Sequence, residues 1–273
     1  MTYQNRLKTL SREYEDAYGF GLPCAIPDYR NADVGSWSVR TRPGGLGESY
    51  LAENCVDGPH HVLSREGEPW MSTAMLEIES HAWHLHCSAG NVLIAGLGMG
   101  MFLHAVAAKE EVKKVVVLEI DPDVIDLFKF SSDFDIWPHR EKIVILNADA
   151  LSPTTMDDVK TAFSGSRPDY LYVDIWPVFP AAEAPEDTRK LVEFHRPVAA
   201  GWWGQEVEYG LWTEAANTCV SVDSLEDFFR HHGVDVPVTQ GYAGFCEQVV
   251  EIHLNSTPDP LSLNQSVEPG PFC

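Results

Sequence analysis

The residues with chemistry to offer recur at strand-and-helix intervals through the middle of the chain. Gly96, Gly98 and Gly100 lie in the run NVLIAGLGMGMF, directly after a short apolar stretch. Glycines at such a turn let backbone N–H groups approach a ligand at the start of the helix that follows. Glu119 closes the next apolar stretch, KKVVVLEI, 21 residues beyond Gly98. A carboxylate there can accept from both hydroxyls of a ribose. Asp149 ends KIVILNAD and Asp174 ends DYLYVD. If each apolar stretch is a parallel strand, four successive carboxyl ends converge on one crevice and bring these groups together. Such a set describes a nucleoside site, and its spacing alone does not say which nucleoside.

The elements that must position these residues can be read from punctuation and period. NVLIA (91–95), KKVVVLEI (113–120), KIVILNAD (142–149) and DYLYVDI (169–175) are near-continuous apolar runs separated by helical patterns, MFLHAVAAKEE (101–111) and DDVKTAF among them. That alternation predicts an α/β fold with a Rossmann-like, doubly wound, mostly parallel sheet covered on both faces. Asp121 can cap the helix that has Pro122 at its first position. Further helices are expected at 184–196 and around SLEDFFRHHG, with strands at WWGQEV (202–207) and CEQVVEIHL (246–254).

Ahead of the sheet, Leu7, Leu10, Tyr14 and Tyr18 recur at spacings of three and four and predict an amphipathic helix over 1–20. SWSVRT and HHVLS read as short strands, REGE as the turn after them, and Pro69 to His86 as a helix. The division expected is a helix-and-hairpin extension over 1–67, a nucleoside-binding domain over 68–254, and a disordered tail over 255–273, where Ser, Pro, Gly and Asn dominate.

Composition narrows the classes. The 273 residues carry 41 Asp and Glu against 19 Lys and Arg, a formal charge of −22. Such a field repels polyanions, which argues against nucleic acid as a partner, and it raises the local concentration of small cations. No apolar run reaches the roughly 18 to 20 residues that span a bilayer. The first residues lack a secretory pattern, so the expectation is a cytoplasmic protein without a membrane partner. The six cysteines contain no CxxC pair. His81, His84 and His86 do not share one helix face with an acid at ligand spacing, so no metal is expected. A small-molecule substrate is, and a homodimer is allowed.

The ordered series of glycine turn, Glu119, Asp149 and Asp174 resembles the class I S-adenosylmethionine-dependent methyltransferases over about residues 68 to 254. That resemblance implies S-adenosylmethionine as cofactor. It implies Gly96, Gly98 and Gly100 along the methionine part, Glu119 and Ile120 at the ribose and adenine face, and Asp149 with Ala150 at the adenine. The layout HVLSREGEPWMSTAMLEIESHA ahead of the turn is similar to the spermidine synthases. That family carries an Asp in the turn to hold the amine of a decarboxylated donor, whereas Met99 stands here. The stretches GEPWMSTAM, GLGMG and LYVDIWP are similar to guanidinoacetate N-methyltransferases. By position, Asp174 would hold and orient the cationic nitrogen of an acceptor, with Glu68 as a second candidate.

Trp176, Trp202, Trp203, Tyr172 and Tyr209 are candidates to wall the site, where aromatic faces favour a sulfonium or ammonium charge. The leading expectation is methyl transfer to a nitrogen of a small acceptor, with Asp174 as the catalytic residue. The alternatives are transfer or cyclisation of the aminocarboxypropyl arm with release of methylthioadenosine, as in azetidine-2-carboxylate formation, and aminopropyl transfer. Outside this class stands a nicotinamide-dependent oxidoreductase, whose fingerprint GLGMGM meets only in part because its third glycine comes one residue early.

Overall fold

Residues 3–255 are described by the structure, a computed structural model. The chain begins with α1 (Tyr3–Tyr18), whose Leu7 and Tyr14 are buried against the rest of the molecule. Six short strands follow: β1 (Ala32–Val34), β2 (Trp37–Arg42), β3 (Gly45–Gly47), β4 (Cys55–Asp57), β5 (His60–Arg65) and β6 (Glu68–Ser72). β1, β2, β5 and β6 form an antiparallel sheet in that order, and β3 pairs with β4 alone. Between β5 and β6, Glu66 and Gly67 both take positive φ, 54° and 92°, the backbone that a two-residue hairpin turn demands.

The helix expected from Pro69 therefore starts later. Residues 68–72 complete the hairpin, with Met71 paired to Leu63 and Ser72 to Val62. Met71 and Met75 are four apart, which fits a helix, yet the turn at 66–67 holds the first of them in the sheet. Helix α2 (Met75–Ser80) and helix α3 (Ala82–Cys87) take up the rest. The N-terminal sheet thus runs to Ser72, past the division expected at residue 67.

Strand and helix then alternate through β7 (Gly90–Ala95), α4 (Met101–Ala107), β8 (Val112–Glu119), α5 (Pro122–Ser131), β9 (Ile143–Asn147), α6 (Thr155–Ala162), β10 (Tyr170–Val173), α7 (Ala184–His195) and β11 (Ala199–Trp202). The five strands are all parallel, in the order β11-β10-β7-β8-β9. Successive residues enter different cores. Val92 and Ile94 pack with Phe102, Val106 and Phe128 on one face, while Leu93 and Ala95 pack with Ile78, Trp83 and Leu191 on the other. Burial on both faces explains why these strands read as continuous apolar runs. Asp121 caps α5 as its sequence suggests, accepting from the Asp123 N–H with Pro122 at the first helical position. The fold is a Rossmann-like doubly wound sheet, and its order reverses between β7 and β10.

After β11 the chain departs from expectation. The strand there is Ala199–Trp202 and not 202–207, because Gly204, at φ 79°, turns the chain directly into α8 (Gln205–Ala216). α9 (Val222–His232) follows, closed by a capping box at Ser221 and by Gly233. The last expected strand is a helix, α10 (Gln240–Val250), continued by a π-helical turn over Glu251–Asn255. Tyr242, Phe245, Cys246, Val249 and Val250 recur at spacings of three and four and bury one side of that helix. That period outweighs the strand preference of its two valines. The tail expected over 255–273 lies outside the described residues after Asn255. Among the described residues no helix is long and apolar enough to cross a membrane.

Candidate functional site

The reversal of strand order opens a crevice between the ends of β7 and β10, the place where open α/β sheets bind ligands. A cavity of about 320 Å³ occupies it, in the size range of small-molecule sites. Gly96, at φ 96°, lies so close to the next strand end that a Cβ would run into the Asp174 carbonyl. At Gly98 a Cβ would run into Met71 Sδ. The turn is glycine because both of its sides are occupied, by β10 and by the N-terminal sheet. Tyr29 Oη donates to the Met99 carbonyl oxygen at 2.9 Å and fixes the turn from below. Gly100 stands behind it at the start of α4, facing Phe128 and not the cavity.

Glu119 lines the cavity at the end of β8. Its Oε2 accepts from the Leu97 N–H at 3.0 Å and its Oε1 from the Asp121 N–H at 2.9 Å. The carboxylate is 9% exposed. Burial pushes its pKa up, and the two N–H groups work against that shift. Asn147 Nδ2 donates to the Glu119 and Ile120 carbonyl oxygens at 2.9 Å each, tying the ends of β8 and β9 together. Ile120, Asp149 and Ala150 line the same cavity, and Asp149 Oδ1 accepts from the Leu151 N–H at 3.0 Å.

Asp174, Tyr172, Trp176 and Trp203 also line it. Trp202 and Tyr209 do not. Both are fully buried, where Trp202 Nε1 reaches Glu208 and Tyr209 Oη meets Ser224. Glu68 lies outside the lining on the exposed hairpin, opposite Arg65. Among the described residues no group of His, Cys, Asp or Glu has the arrangement of a metal site. His84 is committed to Tyr170 at 2.9 Å.

Two residues outside the expected nucleoside and acceptor set sit in the cavity wall: Glu77, which has no signal in the sequence, and His81, considered there only as a metal ligand. They are one turn apart, so the path of α2 into α3 turns both toward β10. Glu77 is 6% exposed and its Oε1 accepts from the Ser72 N–H at 3.2 Å. Burial, and then the charge of Asp174, push its pKa up to about 8. Asp174 in turn is pushed up to about 7, by burial first and by Glu119 second. His81, 1% exposed, is held neutral by burial, its pKa pushed down to about 3. In sequence Glu77 falls off the Met75, Ile78, Ala82 stripe and reads as a solvent-facing acid. The tertiary fold buries it.

The cavity is thus acidic. Glu77, Glu119, Asp121, Asp149 and Asp174 line it, and Arg65 is the one Lys or Arg among the described lining residues. The turn's N–H groups at Leu97 and Met99 already donate, to Glu119 Oε2 and to Met71 Sδ. An arrangement of this kind favours a ligand carrying positive charge over one carrying a pyrophosphate.

No family model and no curated protein matches the chain. Solved structures are similar to parts of it. Spermidine synthase from Thermotoga maritima is 16% identical over 60% of this chain and 56% of its own length, with a TM-score of 0.36. The methyltransferase domain of bacterial CtHen1 is 17% identical over 41% of this chain and 56% of its own, with a TM-score of 0.33. A probable spermidine synthase from Corynebacterium glutamicum is 12% identical over 60% of this chain and 59% of its own, with a TM-score of 0.33. The chain therefore spans less than two thirds of the length of each. Its own strand order and glycine turn are those of a Rossmann-like, doubly wound fold.

Proposed function

We propose that the protein is an S-adenosylmethionine-dependent transferase whose acceptor is a small amine, and that methyl transfer to that nitrogen is its reaction. The observation that carries this reading is the pair of carboxylates, Glu77 and Asp174, on the one cavity that also holds the glycine turn and Glu119. The donor set fits S-adenosylmethionine. Glu119 can accept from ribose hydroxyls, Ile120, Asp149 and Ala150 flank the place for a base, and Gly96 and Gly98 leave room for the methionine part. When bound, the cofactor supplies an electrophilic carbon on a sulfonium.

The chain's own residues then have three tasks. Trp176, Trp203 and Tyr172 narrow the cavity and exclude water, which strengthens every charge interaction inside it. Glu77 and Asp174 draw in an ammonium that offsets their mutual repulsion. Asp174, with a pKa near neutrality, takes the proton that would otherwise keep the acceptor nitrogen from reacting.

A second reading rests on Glu77. Met99 is buried outside the cavity lining, so the residue at the turn holds no donor amine. Glu77, from α2, offers a carboxylate to the same cavity. A donor held there by its amine would present its arm for transfer or cyclisation. The fingerprint of a nicotinamide enzyme gains no such support, because its pyrophosphate would lie against Glu119 at N–H groups already engaged.

The test is chromatography of the nucleoside products after incubation with S-adenosylmethionine and a set of small amines. S-adenosylhomocysteine formed only with protein and amine supports methyl transfer. Methylthioadenosine beyond a protein-free blank moves the assignment to the arm. Absence of both products, with no S-adenosylmethionine binding by calorimetry, removes the cofactor.

A further inference from the structure

Asp174 can act as a base only if its carboxylate is held so that one oxygen remains for the acceptor. Its surroundings are unusual for a carboxylate so placed. Glu119 on β8 and Glu77 on α2 are acids that interact with it, and His81, at the junction of α2 and α3, brings a ring nitrogen toward it. His81 Nε2 lies 4.0 Å from Asp174 Oδ2. On the other side of the ring, Tyr172 Oη is 3.2 Å from His81 Nδ1. The ring itself is 1% exposed and is wedged edge-on against Phe102 and Tyr172, at centroid distances of 5.3 and 5.6 Å.

These contacts set the tautomer. Burial, and then the charges of Asp174, Glu77 and Glu206, push the pKa of the Tyr172 phenol up, so it keeps its proton. A phenol O–H is a better donor than acceptor, and a neutral imidazole has one bare nitrogen to receive it. With Nδ1 accepting from Tyr172, the imidazole proton sits on Nε2 and points at Asp174. A separation of 4.0 Å is longer than a hydrogen bond, so in the free protein the Nε2–H dipole acts on the carboxylate through a poorly screened gap, and the contact shortens when a charged ligand draws the carboxylate into place.

We propose that His81 is a positioning residue: fixed by Tyr172 with its proton on Nε2, it donates to one oxygen of Asp174 and leaves the other to take a proton from the acceptor nitrogen. In that step the N–H bond of an ammonium breaks, its electron pair stays on nitrogen, and an O–H bond forms on Asp174. His81 remains neutral throughout. Its use in catalysis rests on the amine-acceptor reading above. The tautomer and its effect on Asp174 do not, and they can be measured without cofactor or acceptor.

Nitrogen-15 NMR of histidine-labelled protein reads the tautomer with no substitution. The expected result is a bare Nδ1 and a protonated Nε2 at His81, unchanged down to pH 5. Carbon-13 NMR of aspartate-labelled protein, with Asp174→Asn to identify the resonance, reads the carboxyl midpoint. His81→Met removes the donor to the charged form and should raise that midpoint by about one pH unit. His81→Gln, which keeps an N–H near the Nε2 position, should restore it to within a few tenths. A proton found on Nδ1, or a midpoint equal in wild type and His81→Met, overturns the proposal. If His81→Met does not fold, the wild-type tautomer and the His81→Gln midpoint still decide it. Failure of these results leaves cofactor binding untouched, whereas failure to bind S-adenosylmethionine leaves these results standing.

Discussion

The two sides of the crevice treat their acids differently. On the β8 and β9 side every carboxylate is tied to backbone. Glu119 accepts from two N–H groups, Asp121 from Asp123 N–H and the Trp37 indole, and Asp149 from Leu151 N–H. On the β10 and α2 side, Glu77 has the Ser72 N–H at 3.2 Å, and Asp174 has the His81 ring at 4.0 Å. Bound N–H groups keep a carboxylate charged and still, which suits the holding of neutral hydroxyls. Glu77 and Asp174, raised chiefly by burial to about 8 and about 7, change charge near neutral pH, which suits binding and deprotonating a cation. One side is built to hold and the other to react.

If that division is right, substitutions on the two sides fail in different ways. The largest effect belongs to Asp174→Asn, which keeps the shape but cannot take a proton. Turnover should fall by roughly 10²- to 10⁴-fold while affinity for S-adenosylmethionine changes little. Steady-state kinetics and calorimetry check the two halves, and equal losses in both would merge the two sides into one. In the wild type, activity should fall as pH drops below about 7, where Asp174 becomes protonated.

Glu119→Ala is next. Losing charge-assisted bonds to ribose should weaken cofactor binding by about 1.5 to 3 kcal/mol. The fold should survive, as judged by circular dichroism and melting temperature. Unchanged affinity in a folded variant would take Glu119 out of the holding side altogether.

The reacting side can also be tested without chemistry. Glu77 has its pKa raised in the folded protein to about 8, so between its unfolded value near 4.5 and about 8 the native state binds more protons than the unfolded state. Stability from this group is therefore present at low pH and lost as pH rises through that window. Glu77→Gln removes the loss and should stabilise the protein at pH 8 by roughly 1 to 3 kcal/mol, with little gain at pH 5. Denaturant melts at both pH values measure it. A variant less stable than wild type at pH 8 would mean that the charged form of Glu77 contributes to the folded state.

How far the molecule could be read from its sequence follows the same line. Features set by neighbours in the chain were legible. The apolar runs, the glycines at 96, 98 and 100, and the Asp121-Pro122 cap each express a local rule. The Rossmann-like sheet follows from their order, and the positions of Glu119, Asp149 and Asp174 at its strand ends follow from the sheet. Features set by distant packing were not. Val249 and Val250 have strand preference, and the core that α10 meets, where Phe245 packs against Tyr18, Phe20 and Tyr50, is built from residues far away in the chain. Glu77 looks like a surface acid in the sequence and is 6% exposed in the fold. His81 was weighed with His84 and His86 as a metal cluster, whereas its partners, Tyr172 and Asp174, are about 90 residues away along the chain.

The smallest expected effect concerns a residue that sequence similarity brings forward and geometry sets aside. Glu68 begins β6, is exposed, and pairs across the hairpin with Arg65, while the cavity-facing acid of that region is Glu77, nine residues on. Arg65 lines the cavity mouth and lies 5.4 Å from the Trp37 ring. An exposed acid beside a cation that already stacks on an indole adds little, since surface pairs contribute about 0 to 1 kcal/mol. Glu68→Gln should therefore leave stability and S-adenosylmethionine affinity within about 0.5 kcal/mol of wild type, and turnover within twofold. A loss of turnover with cofactor affinity retained would show that the β5–β6 hairpin swings Glu68 over the acceptor during the reaction. The reacting side would then include the N-terminal sheet, and the division between the two sides would run through Arg65 instead of along the glycine turn.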